Sequence, residues 1–261
     1  MNIVVCIKQV PDNAQVKMDS VSGILKLDGA ERILNPFDEY ALEEGLRIKE
    51  KHSGKVILLS MGPEGALNAL REGLSLGADE AILCCDPAFD QSDTNATAKI
   101  LAKAIGKLGP VDIVLLGRQT MDGDTAQLGP QLSFHLGFSM VMYVKKFEEI
   151  RPTAVKVHRM TEEGYDVMQC PLPAVFGTVK EINVPRLPSL KGKLRAKDAA
   201  IPKWTAQELG VSTDTVGQAG SAANVIQILP PPKRSAGKVL KGEPAGMVEE
   251  LISELRSRHL L

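Results

Sequence analysis

Residues 55–117 carry the pattern that decides the fold: KVILLS (55–60), GALNALREGLSLG (65–77), AILCC (81–85), TNATAKILAKAIGKLG (94–109) and VDIVLLG (111–117). Short aliphatic and β-branched runs alternate with longer segments whose apolar residues recur at helical spacing. Strands alternating with helices are βαβ units, which build a doubly wound, mainly parallel sheet covered on both faces. Upstream, NIVVCIK (2–8) reads as a buried strand ending at the turn Pro11-Asp12-Asn13, and VKMD (16–19) and ILKLDG (24–29) read as a small hairpin across Ser22-Gly23. Asn35-Pro36 then opens the helix FDEYALEEGLRIKEK (37–51), acidic in its first turn and basic in its last.

Downstream, a helix is expected from about residue 125 to 136, followed by strands at 140–148, 154–160, 165–170 and 174–178. Their quick succession predicts antiparallel strands extending the edge of the sheet. One α/β core at 1–185 accounts for all of this. From Asn183 the composition changes, with Pro185, Pro188, Pro202 and Pro230-Pro231-Pro232 interrupting a segment that has few long apolar runs. Residues 186–261 therefore read as an extended arm that needs a surface to lie on. The arm ends in an amphipathic helix (245–259) with Met247, Val248, Leu251, Ile252 and Leu255 on one face. Docking on another subunit is the expected arrangement, and docking on the chain's own core is the alternative.

Composition excludes several function classes. The 261 residues hold 31 basic and 32 acidic side chains, and only 4% are aromatic, so neither a basic footprint nor base-stacking platforms exist for nucleic acid. No apolar run approaches the ~18 residues of a membrane span. The first ten residues lack a basic lead-in and a small-residue cleavage site, which predicts a mature cytoplasmic chain. Cys6, Cys84, Cys85 and Cys170 lie in apolar contexts without a C-x-x-C, so reduced buried thiols are expected; His52, His135, His158 and His259 lack metal-ligand spacing.

The chemistry concentrates in GRQTMDGDTAQLGP (117–130), which leaves a strand at its carboxyl end and runs into a helix, where open α/β sheets bind ligands. Free helix N–H groups, glycines, the Thr120 and Thr125 hydroxyls and the Arg118 charge suit a phosphate. Asp122 and Asp124 would repel one, unless they cap the helix or bond sugar hydroxyls. A capped turn with no ligand is the alternative. Asn35-Pro36-Phe37-Asp38 and Ser60-Met61-Gly62-Pro63 occupy equivalent places, and three loops at one sheet edge would enclose a mononucleotide-sized cleft. No G-x-S-x-G elbow or defensible acid/base pair is present, and no catalytic residue is assigned.

Read together, NIVVCIKQVPD (2–12), NPFDEYALEE (35–44), SMGP (60–63), GRQTMDGDTAQLGPQ (117–131), MTEEGYDVMQCPLPAVFGT (160–178) and PPKRSAGK (231–238) closely resemble the β (small) subunit of electron transfer flavoproteins along essentially the whole chain. The resemblance implies an adenine-nucleotide α-hydrolase-like core and a heterodimer with an α subunit that carries most of the redox FAD. In the β subunit it implies an AMP or a second FAD, the latter in members that bifurcate electrons from NADH. The family's nucleotide contacts would fall on Cys6, Asn35, Pro36, Phe37, Asp38, Met61, Gly117, Arg118, Gln119, Thr120, Met121, Asp122, Gly123, Asp124, Thr125, Ala126, Gln127 and Leu128. Phe37 would also approach the α-bound flavin, or else serve as a core residue at the helix start.

The segment 187–194 corresponds to the family's partner-recognition loop, with Leu190, Lys191, Lys193 and Leu194 as contacts. The partners so implied are flavin dehydrogenases such as acyl-CoA dehydrogenase, with a quinone oxidoreductase or ferredoxin as acceptor. GDTAQLGP (123–130) and GQAGS (217–221) are similar to the bifurcating and nitrogen-fixation-linked branches, and Gly123 and Ala126 leave room for a diphosphate and a flavin. Asn13 stands where mitochondrial-type members often carry an aromatic residue. The expectation is an electron-carrier subunit without catalytic residues, with FAD favoured over AMP in the β site. A homodimeric ATP- or AMP-binding regulatory protein is the alternative from another class.

Overall fold

The computed structural model describes residues 1–12, 17–18, 25–26, 30–226 and 237–261, and the chain divides into two compact units, Met1–Ile228 and Leu229–Leu261. The first unit contains, in chain order, β1 (Asn2–Cys6), β2 (Gln9–Pro11), β3 (Lys17–Met18), β4 (Leu25–Lys26), β5 (Arg32–Leu34), α1 (Pro36–His52), β6 (Lys55–Met61), α2 (Leu67–Leu76), β7 (Glu80–Cys84), α3 (Thr94–Lys107), β8 (Ile113–Gly117) and α4 (Leu128–Leu136). It continues with β9 (Ser139–Ile150), β10 (Ala154–Met160), β11 (Tyr165–Pro171), β12 (Ala174–Thr178), α5 (Leu190–Asp198), β13 (Lys203–Trp204), α6 (Ala206–Leu209) and α7 (Gly217–Gly220). The second unit contains α8 (Pro244–Ser257).

Nine strands form one sheet in the order β11-β10-β9-β12-β8-β1-β6-β7-β13. β1 pairs in parallel with both β6 and β8, so the chain runs outward through β6 and β7 and then returns to the other side of β1. That reversal is a topological switch point, and it opens a crevice beyond the carboxyl ends of β1 and β8. The central strands are apolar on both faces, as a covered parallel sheet requires. Ile3 and Val5 pack with Leu42 and Leu46 of α1 and Leu70 and Leu74 of α2, while Val4 and Cys6 pack on the opposite face with Ile100 and Leu101 of α3 and Leu132 of α4.

The expected α/β alternation is present throughout, and β9, β10 and β11 are the expected antiparallel strands. β12 differs. It lies parallel between β8 and β9, all five of its residues buried, so the AVFGT run is a central strand and not part of the edge. The hairpin of 16–29 appears as β3 paired antiparallel with β4, its Ser22-Gly23 turn lying outside the described residues. The compositional change near 185 is not a break in packing. Asn183 donates through Nδ2 to the Tyr40 carbonyl and Glu44, Arg186 pairs with Glu43 and Glu50, β13 adds a parallel edge to β7, and Leu209, Val211 and Val216 are buried against the α3 face. Prolines break the apolar periodicity of this stretch but not its docking. The Pro230-Pro231-Pro232 run, most of PPKRSAGK and Asn13 lie outside the described residues.

Burial pushes Cys6 above the ordinary thiol range and Cys84 up to about 12, so both are protonated packing groups. Phe176 of β12 is fully buried and meets Phe147 edge to face at 5.1 Å. Phe176→Ala is expected to destabilise the chain by about 3–5 kcal/mol, the usual cost of deleting a buried aromatic ring. Urea denaturation checks it, and a loss below about 1 kcal/mol would contradict a central β12.

Candidate functional site

Helix α1 begins at the switch point, and its first residues tie the crevice together. Pro36 supplies a pre-set φ at the helix start, while Asn35, fully buried, does not cap the helix with its side chain. Its Nδ2 donates to the Gln119 carbonyl at 3.0 Å, and its Oδ1 accepts from the Met121 N–H at 3.1 Å. One amide thus supports both backbone directions of the 117–124 loop. Asp38, one turn on, accepts from the Lys8 N–H at 2.8 Å through Oδ2 and from the Gly117 N–H at 3.0 Å through Oδ1. The carboxylate joins the ends of β1 and β8. Burial pushes it up to about 7, against the lowering effect of the Lys8, Asn35 and Gly117 bonds.

Gly117 is required by this geometry. A Cβ there would lie 2.6 Å from the Phe37 carbonyl carbon and 2.7 Å from Asp38 Oδ1. Beyond it, Asp124 and Ala126 adopt left-handed φ of 49° and 54°, so the helix expected from about 125 starts at Leu128 instead. Neither acidic residue caps that helix. Asp122 forms an ion pair with Lys8 Nζ at 2.6 Å and accepts from the Gly123 N–H at 2.7 Å, and Asp124 accepts from Gln119 Nε2. Burial alone would raise Asp122, but the Lys8 bond and charge hold it below its ordinary value. The charge that would oppose a phosphate is therefore paired with the lysine that follows β1.

These elements enclose a cleft of about 220 Å3. Of the residues expected at the site, Cys6, Asp38, Met61, Gly117, Arg118, Gln119, Thr120, Gly123, Thr125, Ala126, Gln127 and Leu128 line it. Asn35, Pro36, Phe37, Met121, Asp122 and Asp124 do not. Phe37 lies under the Arg118 guanidinium, 5.5 Å from ring centroid to Cζ. Arg118 Nε is buried and has no hydrogen-bond partner within the chain, which leaves an unsatisfied donor on a residue that lines the cleft.

The cleft has a second wall that no ligand-binding motif in the sequence marks. Ser92, Asp93, Thr94 and Thr97, at the start of α3, face the 117–128 loop across the cleft. Asp93 caps α3 by accepting from the Ala96 N–H at 2.8 Å, and its Oδ2 takes the Ala222 and Ala223 N–H groups. Ser221 Oγ accepts from the Asp93 N–H at 2.7 Å. The GQAGS segment thus anchors this wall rather than reaching the cleft itself. The Ser-Asp-Thr run before an Ala-rich helix was the available signal, an N-cap at the carboxyl end of a fourth parallel strand.

The expected partner loop is helical. Leu190, Lys191, Lys193 and Leu194 lie on α5, capped by Ser189, whose Oγ accepts from the Gly192 N–H at 3.0 Å. Leu190 and Leu194 are 76% and 59% exposed, and the preceding Leu187 is 90% exposed.

The electron transfer flavoprotein domain model matches residues 23–209. The chain belongs to the electron transfer flavoprotein family. It is 45% identical to the electron transfer flavoprotein subunit beta of Thermoanaerobacterium thermosaccharolyticum over the full length of both chains. It is 41% identical to the caffeyl-CoA reductase-Etf complex subunit CarD of Acetobacterium woodii, again over both full lengths. Protein FixA of Sinorhizobium fredii is 39% identical over 98% of this chain and 92% of its own. Membership in this family implies association with a flavin, and the residues around the cleft fit one end of such a group: a buried unpaired guanidinium donor, four threonine hydroxyls and close backbone approach at Gly117 and Gly123.

Two outcomes follow from this geometry. Gly117→Ala should cost about 1–3 kcal/mol through overpacking against Phe37 and Asp38. Urea denaturation reads the loss, and retention of full stability would contradict the close approach. For Asp38, the folded value near 7 lies above the free value of 3.8, so the native state keeps a proton that the unfolded chain has lost. The stability it contributes is fully present below 3.8 and is lost as pH rises through about 7. Unfolding free energies from about pH 4 to about pH 8 should therefore fall more steeply in the parent than in Asp38→Asn, and equal slopes would refute the assignment.

Proposed function

We propose that this chain is the β subunit of a heterodimeric electron transfer flavoprotein, holding an adenine nucleotide in the cleft at the switch point and passing electrons by protein docking with an α subunit. The observation that carries the reading is the full-length likeness to an electron transfer flavoprotein subunit beta. A bound flavin supplies one- and two-electron chemistry. The chain's own residues bind and orient: Arg118 offers its free Nε to a phosphate, Thr120 and Thr125 offer hydroxyls, and the Lys8 to Asp122 ion pair removes the repulsion a bare carboxylate would exert.

FAD is favoured over AMP for this cleft. Gly123 and Ala126 add no bulk, and Ser92, Thr94 and Thr97 extend the polar lining past the loop that would grip a mononucleotide. A relative named as subunit CarD of a caffeyl-CoA reductase-Etf complex accords with a role beside a reductase, where a second flavin would serve electron bifurcation. Exposed Leu187, Leu190 and Leu194 with Lys191 and Lys193 form the surface for a flavin dehydrogenase such as an acyl-CoA dehydrogenase, and a quinone oxidoreductase or ferredoxin would be the acceptor. In the second unit, Val248, Leu251 and Ile252 of α8 are exposed on one helical face, the character expected of a segment that docks on the α subunit. Among the described residues no helix is long and apolar enough to cross a membrane.

Co-expression with the α subunit, denaturation of the purified complex and quantification of released FAD and AMP test the proposal. The expected outcome is two FAD and no AMP per heterodimer, with Arg118→Ala losing one FAD. One FAD with one AMP would make the cleft a structural AMP site, and a complex without flavin would overturn the reading.

A further inference from the structure

Helix α5 should not be well ordered on its own. It spans nine residues, has a glycine at its third position, carries four basic side chains and buries only Ala196. An isolated helix of that length is marginal in water. Its order comes instead from two arginines that cross between helices. Arg71 of α2 donates through Nη1 to the Ala196, Lys197 and Ala199 carbonyls at 2.7, 2.8 and 3.2 Å, filling the carbonyl end of α5. Arg195 of α5 donates through Nη2 to the Leu74 and Ala78 carbonyls at 2.8 and 2.9 Å, filling the carbonyl end of α2. Each helix caps the other. At Gly192 the two backbones come so close that a Cβ would overlap the Ser75 carbonyl.

The consequence is directional. With Gly192, Arg195 and Ala196 turned toward α2, Leu190 and Leu194, one helical turn apart, are left outward, and Lys191, Lys193 and Lys197 are exposed around them. Upstream, Arg186 is held by Glu43 and Glu50 of α1, so Leu187 projects from between two fixed points. An apolar pair ringed by lysines on a preformed helix suits an apolar groove with an acidic rim.

We propose that Arg71 and Arg195 are positioning residues for partner docking: their mutual capping of α2 and α5 holds Leu187, Leu190 and Leu194 in the arrangement that a partner flavoprotein recognises. This rests on the docking role assigned to α5 above. Neither arginine touches the nucleotide cleft. Their loss should weaken association by making the partner order the helix, without changing electron transfer once docked.

The test uses the intact αβ complex as the electron acceptor of a flavin acyl-CoA dehydrogenase that reduces the parent. Arg71→Ala and Arg195→Met are expected to raise KM for the complex about tenfold while kcat stays within about twofold. The flavin absorbance spectrum and content should remain those of the parent, and Arg71→Lys, which still donates to carbonyls, should recover part of the KM. Leu187→Ala combined with Leu190→Ala is measured beside them. If the leucine variant raises KM and both arginine variants leave it unchanged, the positioning role is overturned while the docking reading stands. If the leucine variant leaves KM unchanged, the docking reading falls and the inference with it. Should Arg71→Ala fail to assemble, Arg195→Met carries the same comparison, because Arg195 lies outside the buried core.

Discussion

A carboxylate has two oxygens, and in Asp38 each serves a different strand. Oδ2 takes the N–H that follows β1, Oδ1 takes the N–H at the end of β8, and the residue itself sits in the first turn of α1. Parallel strands are not joined by a turn at this end, so the separation and register of their tips must be set by something else. Here one buried side chain sets both. The crevice, the close passage of Gly117 past Phe37 and the trajectory of the loop beyond all follow from that bridge. The surroundings penalise a bare charge, which is why the Asp38 proton lingers near neutral pH.

The fold was largely legible because parallel strands buried on both faces leave unbroken aliphatic runs and amphipathic helices leave a period. The exception, β12, is instructive: AVFGT is too short to show periodicity, and nothing local says whether such a run lies at an edge or between two longer strands. The same limit applies past residue 183. Prolines and basic residues read as an unsupported arm, yet that stretch docks through arginine-to-carbonyl bonds and a two-residue strand, interactions with no hydrophobic pattern to betray them.

At the site, the loops were legible in the sequence but the long-range bonds that hold several of their residues were not. Asn35 opens helix α1 and its side chain also braces a distant loop; Asp122, read as a helix cap or a sugar ligand, does not cap α4 and pairs with Lys8. Both roles depend on residues about 85 to 115 positions away, beyond the reach of spacing arguments. The α3 wall was overlooked for the opposite reason, since its Ser-Asp-Thr run is fully explained by capping and shows its second face only when the sheet brings it opposite Arg118.

The cleft's two walls differ in how freely they can change. Every position from 117 to 124 that Asn35 or Asp38 grips is also part of the scaffold, so a substitution there disturbs strand registration before it alters any ligand. Thr94 and Thr97 project from the opening turn of a helix whose cap is supplied by Asp93, and the sheet does not depend on their hydroxyls. One side of the crevice is bound by the demands of folding and the other is free to drift. A core of this kind can therefore change its α3 side alone while the opposite wall stays fixed.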